Sequence, residues 1–150
     1  MQRINLGRTA PELYKTVIEL ENLSMQKVQQ AGLDIGFSHL LKLRASQINQ
    51  CAFCVCMHTQ DAVKAGETTD RIALISAWRE SEYFNQKERA ALILIEEITL
   101  LAQHHFPDQA YEQAAQHLSS AEITAIEWIG IVINTWNRIA ISSQYRVAPE

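Results

Sequence analysis

The sequence has few chain breakers. It holds five glycines and three prolines in 150 residues, about 5% together, where an average protein has roughly 12%. That scarcity excludes a turn-rich β-sandwich or barrel. Nor does any apolar run approach the ~20 residues needed to span a membrane. The opening segment, Met1 to Arg8, has no apolar stretch behind its positive charges, so no secretory leader is expected. A surplus of basic charge is also missing: the net charge is −4, which argues against a broad nucleic-acid-binding surface. Cysteine is rare, and all three residues, Cys51, Cys54 and Cys56, fall within six positions. They cannot staple distant parts of one chain together.

Apolar residues make up 47% of the chain, enough for one sizeable core. No repeat, low-complexity tract or linker divides residues 1–150, so a single domain is expected, in the reducing cytoplasm. Apolar spacing predicts helices almost throughout. The first runs from about Pro11 to Ala31 and stops at Gly32. The second begins near Ile35 or Phe37 and ends at Gln47–Gln50. A third, capped by Asn49 or Gln50, carries the cysteines to Ala65 and closes at Gly66. Thr68–Asp70 caps a fourth. Asn85 with Glu88, and Ser119 with Glu122, have the spacing of capping boxes; they open helices running towards Pro107 and to about Ser142. A short amphipathic segment, Asp108 to His117, lies between them. The last helix is apolar on nearly every face, which implies burial or a shared subunit interface. Its Gly130 suits a close helix approach.

Obvious chemistry is concentrated in Cys51-Ala52-Phe53-Cys54-Val55-Cys56-Met57-His58. Steps of three and four residues return to one helix face, so Cys51, Cys54 and His58 share a stripe. Cys56 points roughly 200° away from Cys54 and reads as a core thiol. At a helix start, free amide N–H groups and the positive dipole end favour a thiolate. The trio thus supplies a nucleophile, a resolving thiol and a base on one rigid element. A c-type haem site needs histidine where Val55 stands. A zinc site using Cys51, Cys54 and His58 would need a fourth ligand from elsewhere. Three inert buried thiols are the bland alternative.

The run Leu41–Cys54, followed by Met57-His58, resembles the alkylhydroperoxidase (AhpD)-like carboxymuconolactone decarboxylase family, in its peroxidase-related branch. Ala65-Gly66-Glu67, Ala77-Trp78-Arg79, Phe84, Glu88–Leu92 leading to Glu96 and Thr99, and Trp136-Asn137-Arg138 add to the likeness. The resemblance implies an all-α, AhpD-like bundle of about six to seven helices, assembled as a homotrimer or homohexamer. It implies a thiol peroxidase or disulfide oxidoreductase cycle in which Cys54 attacks a hydroperoxide and Cys51 resolves the sulfenic acid. A dithiol or lipoylated protein would act as reductant, and no cofactor, metal, nucleic acid or membrane is implied. Such proteins often carry a relay glutamate twelve residues before the first cysteine, where this chain has His39. Either His39 relays protons itself or another carboxylate, with Glu96 as the candidate, takes over. A non-enzymatic thiol sensor and a carboxymuconolactone decarboxylase-like enzyme are the alternatives; the second generally lacks the cysteine pair.

Overall fold

The computed structural model describes residues 3–149, so Met1 and Gln2 of the segment read for a leader lie outside it. Eight α-helices and no strand are present among the described residues. They are α1 (Leu6–Thr9), α2 (Pro11–Gln30), α3 (Ile35–Ile48), α4 (Ala52–Lys64), α5 (Thr69–Leu74), α6 (Gln86–Thr99), α7 (Asp108–Ala115) and α8 (Ser120–Ser142). A 3-10 segment, Ile75–Glu80, continues α5. The count exceeds the expected six to seven because of α1, a single turn too short to show periodicity. Asn5 caps it by accepting from the Arg8 amide, and its first amide donates to Ser143 Oγ at the far end of the chain.

Most boundaries follow from local chemistry. Both capping boxes form, with Asn85 and Glu88 opening α6 and Ser119 and Glu122 opening α8. Thr68 accepts from the Arg71 amide at the head of α5. Gly32 and Gly66 take the left-handed conformations, φ 71° and 94°, that end α2 and α4 without a Cβ clash.

Helices α3 and α8 form the middle of the bundle. Helix α3 packs on α4, α6 and α8, while α8 also packs on α2. On α3, Phe37, Leu40, Leu41, Leu43 and Ala45 are all buried. On α8, Ile126, Ile129, Val132 and Ile133 are sealed off, whereas Trp128, Ile131 and Ile141 stay exposed. Gly130 permits the contact with α6: a Cβ there would clash with Ile98 Cγ2. No helix is long and apolar enough to cross a membrane among the described residues.

Candidate active site

The corner between α3 and α4 places the thiols. Asn49 does not cap α4, as its position in the sequence predicts; it is the C-cap of α3. Its side-chain amide is drawn instead to α8, donating to Asn134 Oδ1 at 2.9 Å and Asn137 Oδ1 at 2.8 Å. Gln50 then adopts a left-handed φ of 56°, and the Cys51 amide reaches back to the Ser46 carbonyl at 3.0 Å. This is a Schellman turn with glutamine where glycine is usual. Cys51 is therefore both the end of that turn and the N-cap residue of α4. The turn brings it beside Cys54, one turn into the helix, and both are free, buried cysteines.

Cys56 is not in the core. It is half-buried, receives a weak contact from Gln60 Nε2 at 3.7 Å, and faces a surface groove with Arg146 and Val147. Being two residues from Cys54, it leaves the reactive face, as the helical angle requires, but arrives at solvent.

Cys54 and His58 open on a cavity of about 320 Å³. Tyr14, Ile18 and Glu21 of α2 form one wall, and His39 and Lys42 of α3 another. Helix α4 adds Phe53, Met57 and Asp61; Trp136, Ala140 and Tyr145 complete the lining. A larger groove of about 700 Å³, between the two ends of the chain, is lined by Arg3, Asn5, Arg8 and residues 143–146 and contains neither thiol nor imidazole.

The environment of Cys54 differs from the one its helix position alone predicts. Burial, reinforced by the Cys51 thiol beside it, pushes its pKa well up, against a smaller opposing pull from the Asn137 amide. Desolvation disfavours the charged form here, so the resting group is a thiol. His58 is 5% exposed, and neither ring nitrogen has a hydrogen-bond partner. Burial, with help from Lys42 and His39, holds its pKa down at about 3. His39 stacks on it with ring centroids 5.8 Å apart, and its Nδ1 is likewise buried and unpartnered. Its pKa is also lowered, by burial and Lys42, with Asp61 and Glu21 pulling the other way. Both imidazoles are neutral near pH 7.

Glu96 is not brought to this cavity. Arg44 Nε at 2.7 Å, Trp78 Nε1 at 2.8 Å and Arg79 hold its carboxylate on the α6 side of α3. Arg44 therefore belongs to this cluster and does not line the cavity of Cys54. Burial pushes the Glu96 carboxyl up, but bonds from Trp78, Arg44 and Arg79 outweigh it and leave the pKa below the usual carboxylate value.

Several residues at the site carry little sequence signal. Lys42 is 2% exposed and ion-paired with Glu21; Trp136 Nε1 donates to the same carboxylate at 3.1 Å. A lysine embedded in Leu40-Leu41-Lys42-Leu43 was the available clue. Asn137 donates to Ser46 Oγ at 3.0 Å and reaches Cys54 from α8, a contact only the tertiary fold creates. Asp61 follows His58 by three residues, the spacing that puts both on one face of α4.

Two adjacent buried thiols at a helix start, one of them sharing a cavity with two imidazoles in an all-α bundle, define a helical dithiol protein. The sequence matches the pattern of the carboxymuconolactone decarboxylase family over residues 11–97, and the chain belongs to that family. It is 37% identical to the uncharacterized protein YdfG of Bacillus subtilis (strain 168) over 147 residues, covering 98% of this chain and 97% of that one. It also superposes on the crystal structure of a protein of unknown function from Agrobacterium tumefaciens, for which an AhpD antioxidant-defence role has been suggested. That match has a TM-score of 0.88 and 42% identity, and it covers 100% of both chains.

Proposed function

We propose that this protein is a dithiol-dependent hydroperoxide reductase, acting in a reducing compartment such as the cytoplasm. The observation that carries the reading is Cys54 in the wall of a cavity that also holds the His39 and His58 imidazoles, with the Cys51 thiol directly beside it. Its likeness to a structure with a suggested antioxidant role supports the same class.

The two thiols and the imidazoles, with a hydroperoxide as oxidant and an external dithiol as reductant, suffice for the cycle. The Cys54 sulfur attacks the distal oxygen of ROOH; the S–O bond forms as the O–O bond breaks, giving Cys54 sulfenic acid and ROH. The thiol proton passes to the departing alkoxide. A base with a depressed pKa beside a thiol with a raised one disfavours a standing thiolate–imidazolium pair. His58 therefore acts within the attack itself, accepting the proton as it delivers one to the leaving oxygen. His39, stacked behind it, connects this exchange to the cavity. The Cys51 thiol then displaces water from the sulfenic acid to form the disulfide. An external dithiol, small or lipoylated, restores both thiols and becomes a disulfide itself.

Stopped-flow oxidation of chelator-treated protein by tert-butyl hydroperoxide tests the reading. Cys54→Ser is expected to abolish rapid oxidation. Cys51→Ser should retain it and accumulate a sulfenic acid that a carbon nucleophile traps. Equal loss in both variants would overturn the division of labour. A single stoichiometric oxidation of the wild type, without turnover in excess dithiothreitol, would overturn catalysis in favour of a redox sensor.

A further inference from the structure

His39, His58 and Asp61 present one ligand atom each, all within 4.8 Å of one another. They come from two facing helices: His39 from α3, and His58 and Asp61, one turn apart, from α4. Peroxide chemistry at Cys54 uses the His58 ring and a relay through His39, but it gives no part to Asp61, whose carboxylate stands with them. Three ring nitrogens, His39 Nδ1 and both of His58, are buried without any hydrogen-bond partner. A buried polar atom without a partner is costly, so three in one place mark a site shaped for something other than the protein itself. Asp61 is half-buried, and its recorded partner is the exposed ammonium of Lys64, at a marginal 3.5 Å.

We infer that His39, His58 and Asp61 form a binding site for a first-row divalent transition metal, a two-histidine, one-carboxylate set with open positions facing the cavity. The donor chemistry selects the ion class. Imidazole nitrogen favours zinc, cobalt, nickel or iron, whereas magnesium and calcium prefer all-oxygen sets. Bonds of about 2.0–2.2 Å require the three atoms to draw closer than they stand. Asp61, which is weakly held, supplies that movement by side-chain rotation. The charge balance permits a cation: Glu21 neutralises the adjacent Lys42, and the Asp61 carboxylate on the cavity wall keeps only the long contact with the exposed Lys64. The open positions face the cavity that Cys54 lines, so a bound ion occupies the imidazole that the thiol step uses. Metal occupancy and peroxide reduction therefore exclude one another.

The site itself does not depend on the thiol reading, and its test removes the thiols. The Cys51→Ser/Cys54→Ser/Cys56→Ser chain, stripped with chelator, is titrated with Zn(II) by calorimetry and with Co(II) by visible absorption. One ion per chain is expected, with Co(II) bands of a nitrogen–oxygen site and no sulfur-to-metal charge transfer. His39→Ala and His58→Ala should each weaken binding by at least about tenfold, since even residues one step removed from a metal commonly cost that much. Asp61→Asn should weaken it less, while His104→Ala/His105→Ala/His117→Ala should leave it unchanged. Circular dichroism checks that each variant folds; His58→Gln stands in for His58→Ala if the latter does not. The proposal is overturned if the thiol-free chain binds no ion, or if affinity survives loss of His39 and His58. It is equally overturned if affinity follows the three outer histidines. The peroxide assay above is run metal-free on the intact thiols, so either idea can fail alone.

Discussion

Glu96 and His58 are almost equally buried, 4% and 5% exposed, yet their surroundings treat them in opposite ways. On the α6 side of α3, the Glu96 carboxylate is held by Arg44, Trp78 and Arg79. On the α4 side, His58 has two ring nitrogens and no partner for either. The first arrangement is that of a polar group satisfied for the sake of the fold. In the second, a stabilising contact is withheld, leaving lone pairs and protons free for a ligand. Tertiary structures tolerate such unsatisfied groups chiefly where function needs them. The contrast shows why a buried acid near a motif in the sequence need not belong to its chemistry.

The sharpest way to break the contrast is to remove Glu96. Glu96→Ala strands Arg44 and the Trp78 indole N–H, and loss of one partner from a buried ion pair costs roughly 3 kcal/mol or more. Denaturant unfolding at pH 7 is expected to show about that loss, with Cys54 still reacting with peroxide in the folded fraction. An unchanged midpoint would sink the structural role. The same pair of proteins carries a pH signature. The folded Glu96 carboxyl titrates below its ordinary value, so its stabilising contribution is complete above the unfolded pKa of about 4.3. It is lost as pH falls through the lower folded value. The stability gap between wild type and Glu96→Ala should therefore narrow below about pH 4. A gap that widens there would contradict the assignment.

A smaller effect of opposite sign is expected across α3. His58→Leu, measured in chelator, replaces two unpartnered nitrogens with apolar surface of similar size and should raise stability by about 1 kcal/mol. The same change should slow peroxide oxidation of Cys54. Destabilisation would mean that the ring is satisfied in some way the contact geometry does not reveal. Smallest of all, Gln50→Gly relieves a left-handed backbone at the corner before Cys51. A gain of about 0.5 kcal/mol is expected, the side-chain relief being partly offset by a more flexible unfolded chain. Thiol reactivity should not change; if it falls, the glutamine contributes to the site and not only to the turn.

Helix positions were legible in the sequence because caps and terminators act within four residues. Asn85, Ser119, Thr68, Gly32 and Gly66 each do locally what their types favour. The stripe of Cys54 and His58 was legible for the same reason, since three- and four-residue steps are a property of the helix itself. The misreadings all involve long-range partners. Asn49 suits a helix cap by type, but α8 offers it Asn134 and Asn137, and those bonds win. Glu96 and Arg44 belong to the family-like pattern, yet they meet each other and Trp78 on the far side of α3. Cys56 faces away from Cys54, as helical spacing requires, but whether that direction holds core or solvent depends on what packs there.

Sequence alone determined that this chain is a helical bundle with Cys54 and His58 on one surface of one helix, because hydrogen bonding and capping along a single chain are short-range. Only the tertiary structure decided what that surface confronts. Helices α2, α3 and α8 bury Cys54 and keep it protonated, stack His39 on His58, and enclose Lys42 and Asp61 with them. Burial and the pairing of charges depend on residues tens of positions apart, and no spacing rule within α4 contains them.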